Sequence, residues 1–131
     1  MDKKCFADKD SQSLGNWGEN LATKFLLNKK YQLLRKNFRK RGGQIDLIMK
    51  RGEELIFVEV KTRRYIYFGM EEDALSSRQL KTLIRCAFFY VQRKNIKYKK
   101  MRFDLITIDL SQYANNSKVK IRHYIDLLRY E

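Results

Sequence analysis

Three charged side chains stand where strands are expected to be apolar. Asp46 lies in Gln44-Ile45-Asp46-Leu47-Ile48-Met49, and Glu59 and Lys61 lie in the run Leu55 to Lys61, which is rich in β-branched and aromatic residues. Burying charge in such surroundings is costly, so the trio needs a reason. Alternation puts Leu55, Phe57, Glu59 and Lys61 on one face of their strand and Ile56, Val58 and Val60 on the other. On the preceding strand Ile45, Leu47 and Met49 share one face, and Gln44, Asp46 and Ile48 the other. With Arg51-Gly52 as the turn, Ile48 pairs with Leu55, Asp46 with Phe57 and Gln44 with Glu59. Asp46 is then diagonal to Glu59, with Cβ atoms roughly 7–8 Å apart. Two carboxylates across that gap can share one divalent cation, whose oxygen ligands sit at about 2.0–2.1 Å for magnesium. Phosphodiester hydrolysis needs this combination. A cation on two carboxylates supplies charge and acidifies water, and a lysine one pleat further on stabilises developing negative charge or positions that water.

The elements that must carry these residues follow from the rest of the chain. From about Asn16, Trp17, Leu21 and Phe25, widened by Ala22 and Leu26, form the apolar stripe of a helix, with Asn16 as its cap and Lys29 and Lys30 at its negative end. Tyr31 to Leu34 leads into a basic stretch, Arg35 to Arg41, which Gly42-Gly43 breaks before the two strands. Ser76-Ser77-Arg78-Gln79 has the spacing of a capping box, and Leu80, Leu83, Ile84, Ala87, Phe88 and Val91 continue it as a second apolar stripe that also takes in Cys86. Phe103 to Ile108 reads as a buried strand, Asn115-Asn116-Ser117 as a turn and Val119 to Ile125 as a last strand. The order helix, strands, helix, strands predicts an α/β fold with a central mixed sheet flanked by helices. Residues 1 to 13 read as a flexible arm carrying Lys3, Lys4 and Lys9, and 14 to 131 as a single domain.

Composition narrows the partners. The chain has 131 residues, 29 Lys plus Arg against 15 Asp plus Glu and a net charge of +14, with a pI near 9.9. A small domain this basic meets a polyanion, with nucleic acid ahead of an anionic membrane surface or an acidic protein. No apolar run reaches the roughly 18 residues of a membrane span, and the N-terminus has no secretory apolar core. Cys5 and Cys86 form neither a disulfide framework nor a zinc motif, so the expected compartment is the cytoplasm.

The wider string is specific. Asp46 followed by Glu59-Val60-Lys61 resembles the PD-(D/E)xK nuclease signature, and Gly18-Glu19, Ala22, Phe25-Leu26, Asn37, Gly43 to Ile48, Phe57 to Arg63 and Arg102-Phe103-Asp104 extend the match. In particular they resemble the YraN-like family of small, uncharacterised bacterial proteins (uncharacterised protein family 0102), from about Trp17 to Ile108. The resemblance implies a restriction-endonuclease-like core similar to archaeal Holliday-junction resolvases. It implies that Asp46 and Glu59 bind one Mg²⁺ or Mn²⁺, that the Val60 carbonyl adds a ligand and that Lys61 assists catalysis. Glu19 matches a helical glutamate that approaches the metal in related nucleases, and could equally favour the positive helix N-terminus. One residue departs: the family usually has Glu where this chain has Gln44, which removes a carboxylate that could support a metal ligand or bind a second metal, though not the core trio.

A salt bridge of Glu59 with Lys61 or Arg63 explains the trio poorly, because buried ion pairs contribute little net stability. Asp104, beside Arg102, reads as a structural ion pair, and His123, the single histidine, as structural. Two basic clusters, Arg35 to Arg41 and Arg93 to Arg102, adjoin elements of the site. Arg39, Lys40, Arg41, Arg63 and Arg64 are the candidate nucleic-acid contacts. Tyr65 and Tyr67 suit either base stacking or an ordinary loop. The expectation is a metal-dependent endonuclease acting on nucleic acid, DNA before RNA, with no membrane role and with a homodimer as a plausible state. The alternatives are a nucleic-acid-binding protein that keeps the fold without turnover, and a basic accessory protein of a nucleoprotein complex.

Overall fold

The computed structural model describes residues 11–63, 75–111 and 119–130. Helix α1 (Ser11–Asn28) is followed by β1 (Gln32–Lys40), β2 (Gly43–Arg51), β3 (Glu54–Arg63), α2 (Ser77–Lys94), β4 (Lys100–Asp109), β5 (Lys120–Tyr124) and a short 3₁₀ turn, Leu127–Tyr130. The five strands form one sheet in the order β1-β2-β3-β4-β5. Only β3 and β4 are parallel, joined through α2; the other neighbours are antiparallel. A five-stranded mixed sheet with a helix on each face is the expected α/β architecture, compatible with a restriction-endonuclease-like core.

The sheet has two apolar faces. On one, Leu14, Ala22 and Leu26 of α1 pack with Leu47, Met49, Ile56, Val58, Ile106 and Ile108. On the other, Leu83, Cys86, Ala87 and Tyr90 of α2 pack with Phe38, Ile45, Ile48, Leu55, Phe57 and Phe103. The central strands β2 and β3 are covered on both faces, which is why they read as nearly continuous apolar runs.

Several boundaries differ from those expected. Helix α1 begins at Ser11 rather than near Asn16, so residues 11 to 13, assigned to the arm, are helical and Leu14 joins the core. The first ten residues lie outside those described, as do the expected turn at Asn115 to Ser117 and the tyrosine loop. Lys30, at φ 69, ends α1, with the Tyr31 N–H donating to the Leu26 carbonyl. The basic stretch from Arg35 is itself a strand, β1, with a register shift between Leu33 and Arg35. Its alternation was hidden by charged residues on an edge. In α2 the Ser76–Gln79 capping box forms as expected, but Phe88 is 56% exposed while Cys86 and Tyr90 are buried.

Candidate active site

The carboxylates meet because the β2–β3 hairpin is registered two residues away from the expected pairing. The turn is Gly52-Glu53, with Gly52 at φ 60, and Arg51 pairs with Glu54, Ile48 with Phe57 and Leu47 with Val58. The ladder ends at the pair Leu47–Val58, and Asp46 and Glu59, the next residues of the two strands, lie close enough to interact. A shift of two preserves the faces, so Glu59 and Lys61 keep the side deduced from alternation.

Beyond Leu47 the ladder gives way to the Asp46 side chain. Its Oδ2 accepts the Val60 N–H at 2.8 Å, and its Oδ1 accepts from Gln44 Nε2 at 2.7 Å. Asn37, on β1 between the pairs Lys36–Leu47 and Phe38–Ile45, takes φ 53, a left-handed conformation that asparagine tolerates better than most residues. The alternation of both strands slips there. Ile45 therefore packs with Phe38 on the α2 face, and not with Leu47 and Met49 as alternation alone placed it. Asp46 sits at this slip, 3% exposed.

Glu19 comes from α1 on the other side of the sheet. Gly18 allows the approach: a Cβ there would lie 1.8 Å from Thr62 Oγ1 on β3. Lys36 Nζ bonds Asn20 Oδ1, tying β1 to the same turn of α1. Burial first, then the Asp46 charge, raises the Glu19 carboxyl above its ordinary 4.5, against the lowering effects of an Asn37 hydrogen bond and the Lys36 charge. Burial and the charge and hydrogen bond of Asp46 push Glu59 up to about 8, with Lys61 partly opposing. Buried carboxyls raised further by a neighbouring carboxylate are an arrangement common at functional sites.

Lys61 is tied to α2. Its Nζ lies 3.5 Å from Gln79 Oε1, the oxygen that also accepts the Ser76 N–H at 3.0 Å within the capping box. Gln44, Glu59, Arg78, Gln79, Thr82 and Leu83 line a cleft of about 260 Å³ at this end of the sheet. Gly43 lets α2 settle there, since a Cβ would meet Thr82 Cγ2 at 2.6 Å and Cys86 Sγ at 2.8 Å.

Among the described residues no group of three His, Cys, Asp or Glu side chains is arranged to hold a metal by itself. The donors nevertheless suit a magnesium-like ion, which takes one or two carboxylates and keeps several waters. Glu19 Oε1 is also buried without a hydrogen-bond partner among the described residues, an oxygen aimed inward with nothing satisfying it.

Of the predicted binding residues, Arg39 and Arg41 are exposed, Lys40 lies 3.8 Å over the Phe89 ring and Arg63 ends β3. All belong to the carboxylate end of the sheet, whereas Arg64, Tyr65 and Tyr67 lie outside the described residues. The second basic cluster does not adjoin the site. Because β3 and β4 are parallel, the end of α2 and the start of β4 sit beside Glu54, at the opposite end. Further up β4, beside Ile56, Arg102 is buried, bonded to Asp104 at 3.0 and 2.9 Å, Glu54 at 2.8 Å and the Tyr31 hydroxyl at 2.6 Å. His123 Nε2 lies 2.8 Å from Asp104 Oδ2, and the Asp126 N–H donates to Oδ1 at 2.9 Å. Asp104 and His123 are thus structural partners, as their positions suggested. Sequence reasoning missed Asn37 as the slip point, and Arg78, Gln79 and Thr82 as cleft residues. The capping box held the signal for Gln79, since it fixed where α2 starts.

The fold defines the class, a mixed α/β core compatible with a restriction-endonuclease-like build. Residues 18–108 match the profile of Uncharacterised protein family UPF0102, and the chain belongs to that family. It is similar to the UPF0102 protein of Syntrophomonas wolfei, 35% identical over 116 residues, covering 88% of this chain and 97% of that one. The Caldicellulosiruptor saccharolyticus relative is 39% identical, covering 76% of this chain and 84% of its own, and that of Shewanella sediminis 47%, covering 75% and 83%.

Proposed function

We propose that the protein is a divalent-cation-dependent nuclease, hydrolysing phosphodiester bonds in nucleic acid, DNA in the first instance, in the cytoplasm. The carrying observation is Asp46 in contact with Glu59 where the ladder ends, with Glu19 approaching from α1 and Lys61 one pleat on. Asp46 and Glu59 would hold one Mg²⁺ or Mn²⁺, with the Val60 carbonyl as a further oxygen and Glu19 in support. A cation there supplies charge to a phosphoryl oxygen and acidifies the attacking water. Lys61, held toward the cleft through Gln79, orients that water or meets the developing charge. The Val60 N–H and the Gln44 amide fix the direction of the Asp46 carboxylate.

Gln44 also supports a second reading, a nucleic-acid-binding protein that keeps the fold without turnover, because its amide donates to the Asp46 carboxylate where the family usually has a further carboxylate. Cleavage of a labelled panel separates the two: linear duplex, single strand, flap, four-way junction and structured RNA, each with Mg²⁺, Mn²⁺ or EDTA. The nuclease reading predicts cation-dependent cutting that Asp46→Ala abolishes. Salt-sensitive binding without cutting under either metal supports the second reading, and cutting retained in Asp46→Ala contradicts the site.

A further inference from the structure

The sequence offered two basic clusters, and the fold separates them to opposite ends of the sheet, but a third set of cations belongs to neither. Helix α2 carries five Lys or Arg and no Asp or Glu over its 18 residues. A helix facing only water ordinarily intersperses both signs. Arg78, Lys81 and Arg85 are spaced three and four apart, which puts them on one face, and all three are exposed. Among the described residues none of them pairs with a carboxylate. By contrast, at the other end of the sheet Lys99 pairs with Glu53 at 3.2 Å and Lys100 with Asp126 at 3.9 Å.

The row has direction. Arg78 lines the cleft that holds Glu59 and Gln44. Arg85 Nη2 lies 4.0 Å from the place of a Cβ on Gly42, at the β1–β2 turn that carries Arg41. Seven residues of helix span about 10 Å, the reach of about three nucleotides at 3.4 Å per strand charge.

We propose that this face of α2 is the track for the substrate's sugar-phosphate backbone, with phosphates on Arg78, Lys81 and Arg85 leading from the β1–β2 turn into the carboxylate cleft. The inference rests on the nuclease reading and adds where the strand lies. Positive charge on a rigid helix positions a backbone without reading its sequence.

The test is fluorescence anisotropy of a labelled DNA duplex titrated with the full chain in EDTA at several KCl concentrations. It compares wild type, Arg78→Gln/Lys81→Gln/Arg85→Gln and a far-end control of equal charge, Lys94→Gln/Lys97→Gln/Lys100→Gln. Each lost phosphate contact lowers the slope of log affinity against log salt by about 0.9, so the α2 triple should lose about 2–3 and each single change about 0.9. The far-end control should keep the wild-type slope, and circular dichroism melting checks that every variant folds. A wild-type slope in the α2 triple, or an equal loss in the control, overturns the track. If wild type still cuts DNA in that case, the nuclease reading survives without it. No salt-dependent binding by wild type also overturns the track, and the nuclease reading falls only if the cleavage panel shows no cutting under Mg²⁺ or Mn²⁺.

Discussion

Asp46 has both oxygens directed, one by the Val60 N–H and one by the Gln44 amide, while Glu59 beside it gains a neighbour that it would rather avoid. Burial and the Asp46 charge raise Glu59 to about 8 in the folded chain from an ordinary 4.5. The folded state therefore holds that proton more tightly than the unfolded one, and stability falls as pH rises from about 4.5 towards 8. Without divalent cation, Glu59→Gln should raise the melting temperature at pH 8 and leave it nearly unchanged at pH 4.5. Differential scanning fluorimetry at both pH values checks this; an unchanged or lower midpoint at pH 8 means that the pair is not in conflict. Stability given up at this position is what a site built for a cation requires.

At the scale of elements, closeness of backbone brings the side chains together. Gly18 lets α1 lie against Thr62, and Gly43 lets α2 lie against Thr82 and Cys86, so both helices reach the end of the sheet that carries Asp46 and Glu59. Gly18→Ala should cost about 1–3 kcal/mol in urea unfolding, as overpacking does. Adding Thr62→Ala should recover most of the loss, because Thr62 Oγ1 makes the 1.8 Å clash and has no hydrogen bond among the described residues to lose. If the double variant is no more stable than the single one, the helix does not approach here. The faces of β3, the capping box and the two helices were legible in the sequence because each rests on a local period or spacing. The hairpin register was not, since moving the turn by one residue preserves every face while changing which residues stand opposite. The reversal of Ile45 was hidden too, because it depends on Asn37 in a neighbouring strand that itself read only as a basic stretch.

Over the whole molecule two clusters of buried charge differ in kind. The carboxylate end is crowded and lined by a cleft. Across the sheet on β4 and β5, Arg102 and Asp104, in register with Ile56 and Val58, form a buried network with Tyr31, Glu54, His123 and the Asp126 N–H. Burial would raise the Asp104 carboxyl, but hydrogen bonds from His123, Arg102 and Asp126 together hold it below its ordinary 3.8. A lowered folded value means that its stabilisation is present above about 3.8 and lost as pH falls through that lower value. Asp104→Asn should therefore cost about 3–5 kcal/mol at pH 7, the scale for breaking a buried ion pair, with the gap to wild type narrowing in acid. Urea unfolding of both proteins across pH reads it, and a gap independent of pH refutes the assignment. The ion pair was legible from Arg102-Phe103-Asp104, but the reach of β5 back to Asp104 was not, because it joins residues 19 apart in sequence.

The most direct test of the central claim, that Asp46 and Glu59 are built around a divalent cation, is calorimetric titration of Mn²⁺ into the wild-type chain and into Asp46→Asn, each free of nucleic acid. The account predicts one site per chain in wild type and loss of binding in the variant. Equal binding by the two proteins, or none by wild type, would contradict it.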